Sequence, residues 1–162
     1  MNTWIISDTH FFHDKIMEYC NRPTNYNDLI IENWRNRVLP CDLVIHLGDV
    51  IFYKRDQLKS IMASLPGTKM LILGNHDKKS GRWFINNGFD YAVNYLVYNN
   101  ILFTHKPVDN LGYEEKVNIH GHIHNNIDAI KKLKPFNVNY SIEIENYRPV
   151  LLEMLLRNRN KQ

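Results

Sequence analysis

Leu71-Ile-Leu-Gly-Asn-His-Asp77 is a short aliphatic run that ends at a glycine and passes straight into an amide, an imidazole and a carboxylate. The run reads as a buried strand, and Gly74 lets the backbone turn sharply off it. Asn75, His76 and Asp77 then offer, in unbroken succession, groups that bind metal ions and move protons. Three other apolar segments close in the same manner: Ile5-Ile-Ser-Asp-Thr-His10, Val44-Ile-His-Leu-Gly-Asp49 and Ile101-Leu-Phe-Thr-His105. His120-Gly-His-Ile-His124 forms a fifth cluster. In an open α/β sheet the carboxyl ends of the strands line one crevice, so side chains distant in sequence meet there.

Working outward, residues 2–6 read as a first strand, Lys15–Cys20 as a short helix, and Leu29, Ile30, Ile31, Trp34 and Val38 as the core-facing stripe of a second helix. Leu43–Leu47 is a second strand. Asp56–Leu65 opens with a candidate N-cap and sets Leu58, Ile61, Met62 and Leu65 on one helical face before Lys69–Leu73 returns as a strand. This alternation is that of a βαβ unit. Arg82–Asn87 reads as a helix capped by Gly88, and Tyr95–Tyr98 and Ile101–Thr104 as a hairpin turning at Asn99-Asn100. Val117–Ile119 and Phe136–Ile144 are further expected strands, Leu151–Arg157 a closing helix, and Arg157–Lys161 a frayed end. The first half is therefore expected to be α/β and the second mostly β.

At 162 residues the chain fits one domain spanning 1–162 and can bury roughly 68–70% of its unfolded surface without a disulfide. Its 44% apolar and 23% charged residues exclude a disordered or fibrous chain. No secretory signal or membrane-length apolar run is visible, which points to a cytoplasmic setting without membrane attachment and makes Cys20 and Cys41 expected buried thiols. The formal charge of +3 fits an anionic substrate without identifying nucleic acid.

Five of the eight histidines fall in the segment-end clusters: His10, His76, His105, His122 and His124. Asp8, Asp49 and Asn75 join them. Mixed carboxylate, amide and imidazole donors suit Mn, Fe, Zn or Ni, and the absence of clustered thiolates argues against a structural zinc site. Seven candidate ligands are too many for one ion that also holds water, so two divalent ions are expected, with Asp49 as candidate bridge.

These residues resemble the calcineurin-like metallophosphoesterases, whose signature runs D-x-H, G-D, G-N-H-[DE], H and G-H-x-H in this order. All five blocks occur between residues 8 and 124. The resemblance implies a two-sheet β sandwich flanked by helices in α-β-β-α layers. It further implies that Asp8, His10 and His124 hold one metal, that Asn75, His105 and His122 hold the other, that Asp49 touches both, and that His76 stays free as proton donor. Manganese is the expected metal, and the expected substrate is an anionic phosphoester such as a nucleotide, cyclic nucleotide or nucleic-acid end.

The sequence departs from the G-D-x-x-D-R form of the signature, because Gly48-Asp-Val-Ile-Phe-Tyr53 places Phe52 where a second aspartate would stand. That disfavours a protein phosphatase and makes a small phosphodiesterase of bacterial or phage type the expected activity. A phosphomonoesterase or protein phosphatase is the alternative, and a non-catalytic scaffold of the same fold the third class. His13 and Arg22 are candidate contacts to the substrate phosphate, each weighed against a capping or surface role. His46 is expected to be a hydrogen-bonded core histidine, and His120 either a support for the neighbouring ligands or simply strand.

Overall fold

Aliphatic residues at Ile5, Ile6, Val44, Ile45, Leu71 and Ile72 are buried on strands with cover on both faces, the condition under which parallel strands carry continuous apolar runs. The computed structural model describes residues 1–159. Strands β1 (Thr3–Ile6), β2 (Leu43–His46), β3 (Thr68–Ile72) and β4 (Tyr91–Val93) run parallel. With antiparallel β9 (Val150–Leu151) they form a five-stranded sheet in the order β4-β3-β2-β1-β9. Helices α1 (Asp14–Cys20), α2 (Tyr26–Arg37), α3 (Leu58–Ser64) and α4 (Gly81–Asn86) fill the connections between the parallel strands.

A second sheet has the order β5-β6-β7-β8, from Leu96–Tyr98, Ile101–Phe103, Val117–His120 and Asn137–Asn139. Ile101, Phe103, Val117, Ile119 and Val138 from this sheet join the same buried cluster as Ile5, Val44 and Leu71 from the first. The architecture is the expected one: two multi-stranded sheets with flanking helices.

Register decides where chemistry can collect. Ile6 pairs with His46 and His46 with Leu71, so β1, β2 and β3 end side by side, and Phe103 against Ile119 aligns the ends of β6 and β7. All five polar clusters lie just beyond these aligned strand ends or, for His120, at one.

Most predicted elements form where expected. Ile30, Trp34 and Val38 of the α2 stripe are buried, and Leu29 and Ile31 partly so. The hairpin turns through Asn99 and Asn100 at φ of 50° and 61°, the two positive values a tight hairpin turn requires. Gly88, at φ 105°, ends α4 by donating to Ile85 O while Phe89 N–H reaches back to Phe84 O.

Several expectations are corrected. Asp56 is not an N-cap: Arg55–Gln57 form a 3₁₀ turn, and Gln57 leads into α3 without a side-chain cap. In the second half α6 (Leu152–Arg159) is the expected closing helix, α5 (Ile127–Ile130) is a helix the sequence reading did not include, and β6, β7 and β8 pair in parallel. Only Asn137–Asn139 of the Phe136–Ile144 segment is strand. Cys20 is buried, but Cys41 is exposed. The expected frayed end is helical through Arg159, and its positions 160 and 161 lie outside the described residues. Among the described residues no helix is long and apolar enough to cross a membrane.

Candidate metal centre

Three loops carry the first donors. After β1, Asp8 N–H donates to Gly48 O and His10 N–H to Asp49 O, so the β1 and β2 loops are stitched together by backbone bonds of 2.9 and 3.0 Å. Gly48 sits at φ 104° with Gly74 packed beneath it; a Cβ there would lie 2.7 Å from the Gly74 backbone and 2.8 Å from His105 Nδ1. The third loop is tied in by Asp77, whose carboxylate accepts from the backbone N–H of Gly74 (2.8 Å), Asp49 (2.8 Å) and Val50 (3.1 Å).

Two donor sets converge within this frame. Asp8, His10 and His124 offer ligand atoms all within 4.8 Å of one another, and so do Asp49, His105 and His122. Asp49 Oδ2 lies 3.7 Å from His10 Nε2 and 3.3 Å from His105 Nε2, between the two sets. Asn75 Oδ1 is 2.9 Å from His105 Nε2. All seven predicted ligands are thus brought together. His76 is next to them, with its ring 5.6 Å from that of His10, its side chain exposed and its backbone N–H donating to Asp49 Oδ1 at 2.7 Å.

The donors fit cations better than they fit each other. Asp8 Oδ1 is buried without a hydrogen-bond partner, yet faces His10 Nε2 at 3.9 Å and His124 Nε2 at 3.8 Å. A buried carboxylate oxygen left that way is costly unless a positive charge completes it. Backbone geometry agrees, since Asp8, His10, Asp49, His122 and His124 all have positive φ, between 45° and 70°. At about 1–2 kcal/mol per residue, five left-handed residues would not gather in one cleft for packing alone.

Histidine orientation is fixed from behind. His105 Nδ1 contacts Leu47 O at 2.8 Å, and His124 Nδ1 contacts Glu143 Oε1 at 3.0 Å. Each bond places the proton on Nδ1 and turns the Nε2 lone pair towards the donor cluster. Burial pushes Glu143 up, but the hydrogen bond from His124 and the charge of Arg22 outweigh it and hold the carboxyl down at about 2. Burial likewise opposes ionisation of Asp49, and is overcome by the His105 hydrogen bond and charge, so its carboxyl lies well below the ordinary range. Burial dominates at His122, pushed down to about 4, and at His10, which stays neutral and free to ligate.

Arg22 does not face the cleft. Its guanidinium is buried and donates to Asp8 O (2.8 Å), Thr9 O (3.0 Å) and Glu143 Oε1 (2.9 and 2.6 Å). All three nitrogens therefore hold the β1 loop and Glu143, in place of the substrate contact expected from sequence. Cys20, His124 and Glu143 also cluster, but Glu143 Oε1 is already saturated by Arg22 and His124, so this trio braces His124. His13 is buried beside the centre, its ring 5.4 Å from His10 and stacked 3.9 Å from Phe52. His46 is a buried core residue, its Nε2 3.0 Å from Thr9 Oγ1 and its Nδ1 accepting from Gly48 N–H. His120 ends β7 buried, its Nδ1 at Gly121 O. Sequence reasoning missed Glu143, which no motif marks, and left the direction of Asp77 open.

Comparison with known proteins finds a family and several relatives for the chain. The calcineurin-like phosphoesterase family model matches residues 1–162. The chain belongs to that family. An uncharacterized protein of Methanocaldococcus jannaschii is 34% identical over 167 residues, covering 95% of this chain and 89% of its own. The Gene 66 protein of Mycobacterium phage D29 is 38% identical over 81 residues, covering 48% of this chain and 41% of its own. A protein of unknown function from Aquifex aeolicus shares the fold, with a TM-score of 0.77 at 24% identity over 97% of this chain and 98% of that one. Membership in the calcineurin-like phosphoesterases implies metal-dependent phosphoester hydrolysis as a class, with a centre that typically takes two ions.

The Arg22–Glu143 pair, with side-chain exposures of 0% and 5%, generates a stability prediction. Arg22→Leu strips the buried Glu143 carboxylate of its guanidinium partner, leaving only His124 and Ser141 on it, and leaves the Asp8 and Thr9 carbonyls without their donor; it is expected to lower unfolding free energy by about 3–5 kcal/mol. Adding Glu143→Gln should return much of that loss. Urea unfolding of the metal-free variants reads both outcomes, and an Arg22→Leu midpoint equal to wild type would show that the pair does not hold the loop.

Proposed function

We propose that the chain is a phosphodiesterase of one domain with a dinuclear centre, acting on a nucleotide, cyclic nucleotide or nucleic-acid phosphoester. The observation that carries this reading is the convergence of two Asp/His donor sets on Asp49 Oδ2 with an uncommitted, exposed His76 at their edge. Asp8, His10 and His124 would hold one ion, Asn75, His105 and His122 the other, and Asp49 both. Bound divalent ions supply Lewis acidity, which makes water a nucleophile near neutral pH and offsets charge on the phosphoryl oxygens.

The protein's own groups do the rest. Asp77 keeps the Gly48-Asp49 turn closed, so the Asp49 carboxylate is aimed before substrate arrives. Arg22, through Asp8 O and Glu143, does the same for Asp8 and His124. His76, with its ring accessible, donates a proton to the departing oxygen. The donor set suits manganese, with iron, zinc or nickel as other candidates.

Diesters are favoured over monoesters on charge. A monoester dianion gains more from an arginine clamp than a diester monoanion does. Here Arg22 is occupied by Glu143 and the loop carbonyls, while Lys54, Lys78 and Lys79 are exposed. The aspartate and arginine of the G-D-x-x-D-R form are absent as well.

Three outcomes test the proposal. Elemental analysis after manganese reconstitution should give two ions per chain; Asp49→Asn should weaken both sites and His10→Ala mainly one, whereas a ceiling of one ion contradicts the scheme. His76→Ala should keep both ions and lose about 10²–10⁴-fold in rate on esters with poor leaving groups, but far less on nitrophenyl esters. Equal losses on the two substrate types would remove the proton-donor role. Finally, kcat/KM for bis-nitrophenyl phosphate should exceed that for nitrophenyl phosphate under matched manganese; a monoester preference across nucleotide substrates would reverse the assignment, and no turnover with metals bound would favour a scaffold.

A further inference from the structure

A chain of aromatic rings leads from the metal centre to the surface. The His10 ring lies 5.4 Å from His13, which stacks on Phe52 at 3.9 Å with their planes 10° apart. Tyr53 stands edge-on to Phe52 at 4.9 Å, and Tyr19 edge-on to His13 at 6.4 Å. Phe52 also touches His76, with ring centroids 5.5 Å apart. The series begins at reacting groups and ends at two tyrosines that are 68% (Tyr19) and 51% (Tyr53) exposed.

Tyr19 has a second neighbourhood. An open cleft of about 570 Å³ starts at His122 and His124 and is walled by Tyr19, Asn125 and Asn126. The Asn126 side chain caps α5 by accepting from Ala129 N–H, whereas Asn125 is exposed and makes one long contact, 3.5 Å to Cys20 O. A cleft that runs from the candidate metal centre to the exposed Tyr19 ring and an amide with donor and acceptor to offer is suited to a flat, polar-edged ring. Lys54, exposed with its Nζ 5.1 Å above the Phe12 ring, adds positive charge on the neighbouring loop. Scattered exposed tyrosines need no explanation, but a contiguous ring series anchored at a catalytic edge is an apolar patch with a use.

We propose that Tyr19 and Tyr53, backed by His13 and Phe52, form a base-stacking subsite, so that one substituent on the phosphorus is a nucleoside. The proposal rests on the phosphoester reading of the metal centre. Stacking tolerates any base because every base presents a π-face, and one stacked base is worth about tenfold or more in affinity. The subsite therefore selects nucleosides over sugars or alkyl groups without selecting a base. A mononucleotide and the end of a single strand share this chemistry.

Calorimetry on the manganese-loaded protein, which needs no turnover, tests the proposal with adenosine 5′-monophosphate and ribose 5-phosphate. The two probes differ only in the base. Wild type should bind the nucleotide about tenfold or more tighter. The Tyr19→Ala/Tyr53→Ala variant should lose that preference while holding ribose 5-phosphate as wild type does. Equal affinities in wild type, or a preference that survives in the variant, overturn the subsite and leave the metal centre's reading intact. Failure of both probes to bind overturns the phosphate reading and the subsite with it. A 5′-phosphorylated single-stranded hexanucleotide separates the sources: binding tighter than the mononucleotide points to strand ends, and equal or weaker binding to free nucleotides.

Discussion

Three backbone amides from two loops meet on one carboxylate, that of Asp77, and the geometry of the centre follows from that bond set. Asp49 adopts φ 57° because its own N–H and that of Val50 are drawn towards Asp77 while Asp49 O accepts from His10 N–H. Removing any one of these partners would leave a buried donor or acceptor unmatched, which costs about 1–3 kcal/mol, comparable to the left-handed strain it restrains. Burial raises the Asp77 pKa, and its hydrogen bonds to Gly74 and Val50 partly oppose that shift. The carboxylate therefore works as a backbone acceptor, although its position beside His76 invites a catalytic reading.

The second half of the centre is held by charge. Arg22 joins the carbonyls of Asp8 and Thr9 to Glu143, and Glu143 turns His124 so that its Nε2 faces Asp8. Burial and the hydrogen bonds to Cys20 and Glu143 act on His124 in opposite directions, with burial the largest single effect; the combined hydrogen bonds and carboxylate charges prevail and push it up to about 10. A cation held by Asp8, His10 and His124 would replace that proton as the neutralising charge. The network thus keeps a site for positive charge open whichever species fills it, and it does so through side chains buried behind the cluster.

Much of this was legible in sequence because the relevant signals are local. A short aliphatic run followed by Gly-Asn-His-Asp, or by Gly-Asp, states both strand and loop, and parallel pairing does the rest by aligning the strand ends. What could not be read depends on distant pairing. Glu143 is 121 residues from Arg22 and lies in a turn-rich segment that resembled a strand, so nothing adjacent marked it. Arg22 was read as a substrate contact because a basic residue near the candidate ligand loops looks the same in sequence whether it faces solvent or a buried carboxylate. The three-residue β4, the two-residue β9 and the four-residue α5 are too short for periodicity to register.

Phe52 binds these points together. An aspartate there would bring a further carboxylate close to a pocket where Asp8 already has its pKa raised by burial and by the charge of Asp49. The aromatic ring avoids that repulsion, covers His13 on one face and limits where the His76 ring can swing. His76 is consequently anchored at its backbone, through Asp49 Oδ1, rather than through its ring. In the proposed role of proton donor, a histidine fixed at the main chain and bounded by an aromatic surface could follow leaving oxygens in more than one position. A donor locked to a carboxylate serves a single geometry. That latitude would suit the proposed subsite, in which ring stacking beside the phosphorus would set selectivity in place of charged clamps upon it.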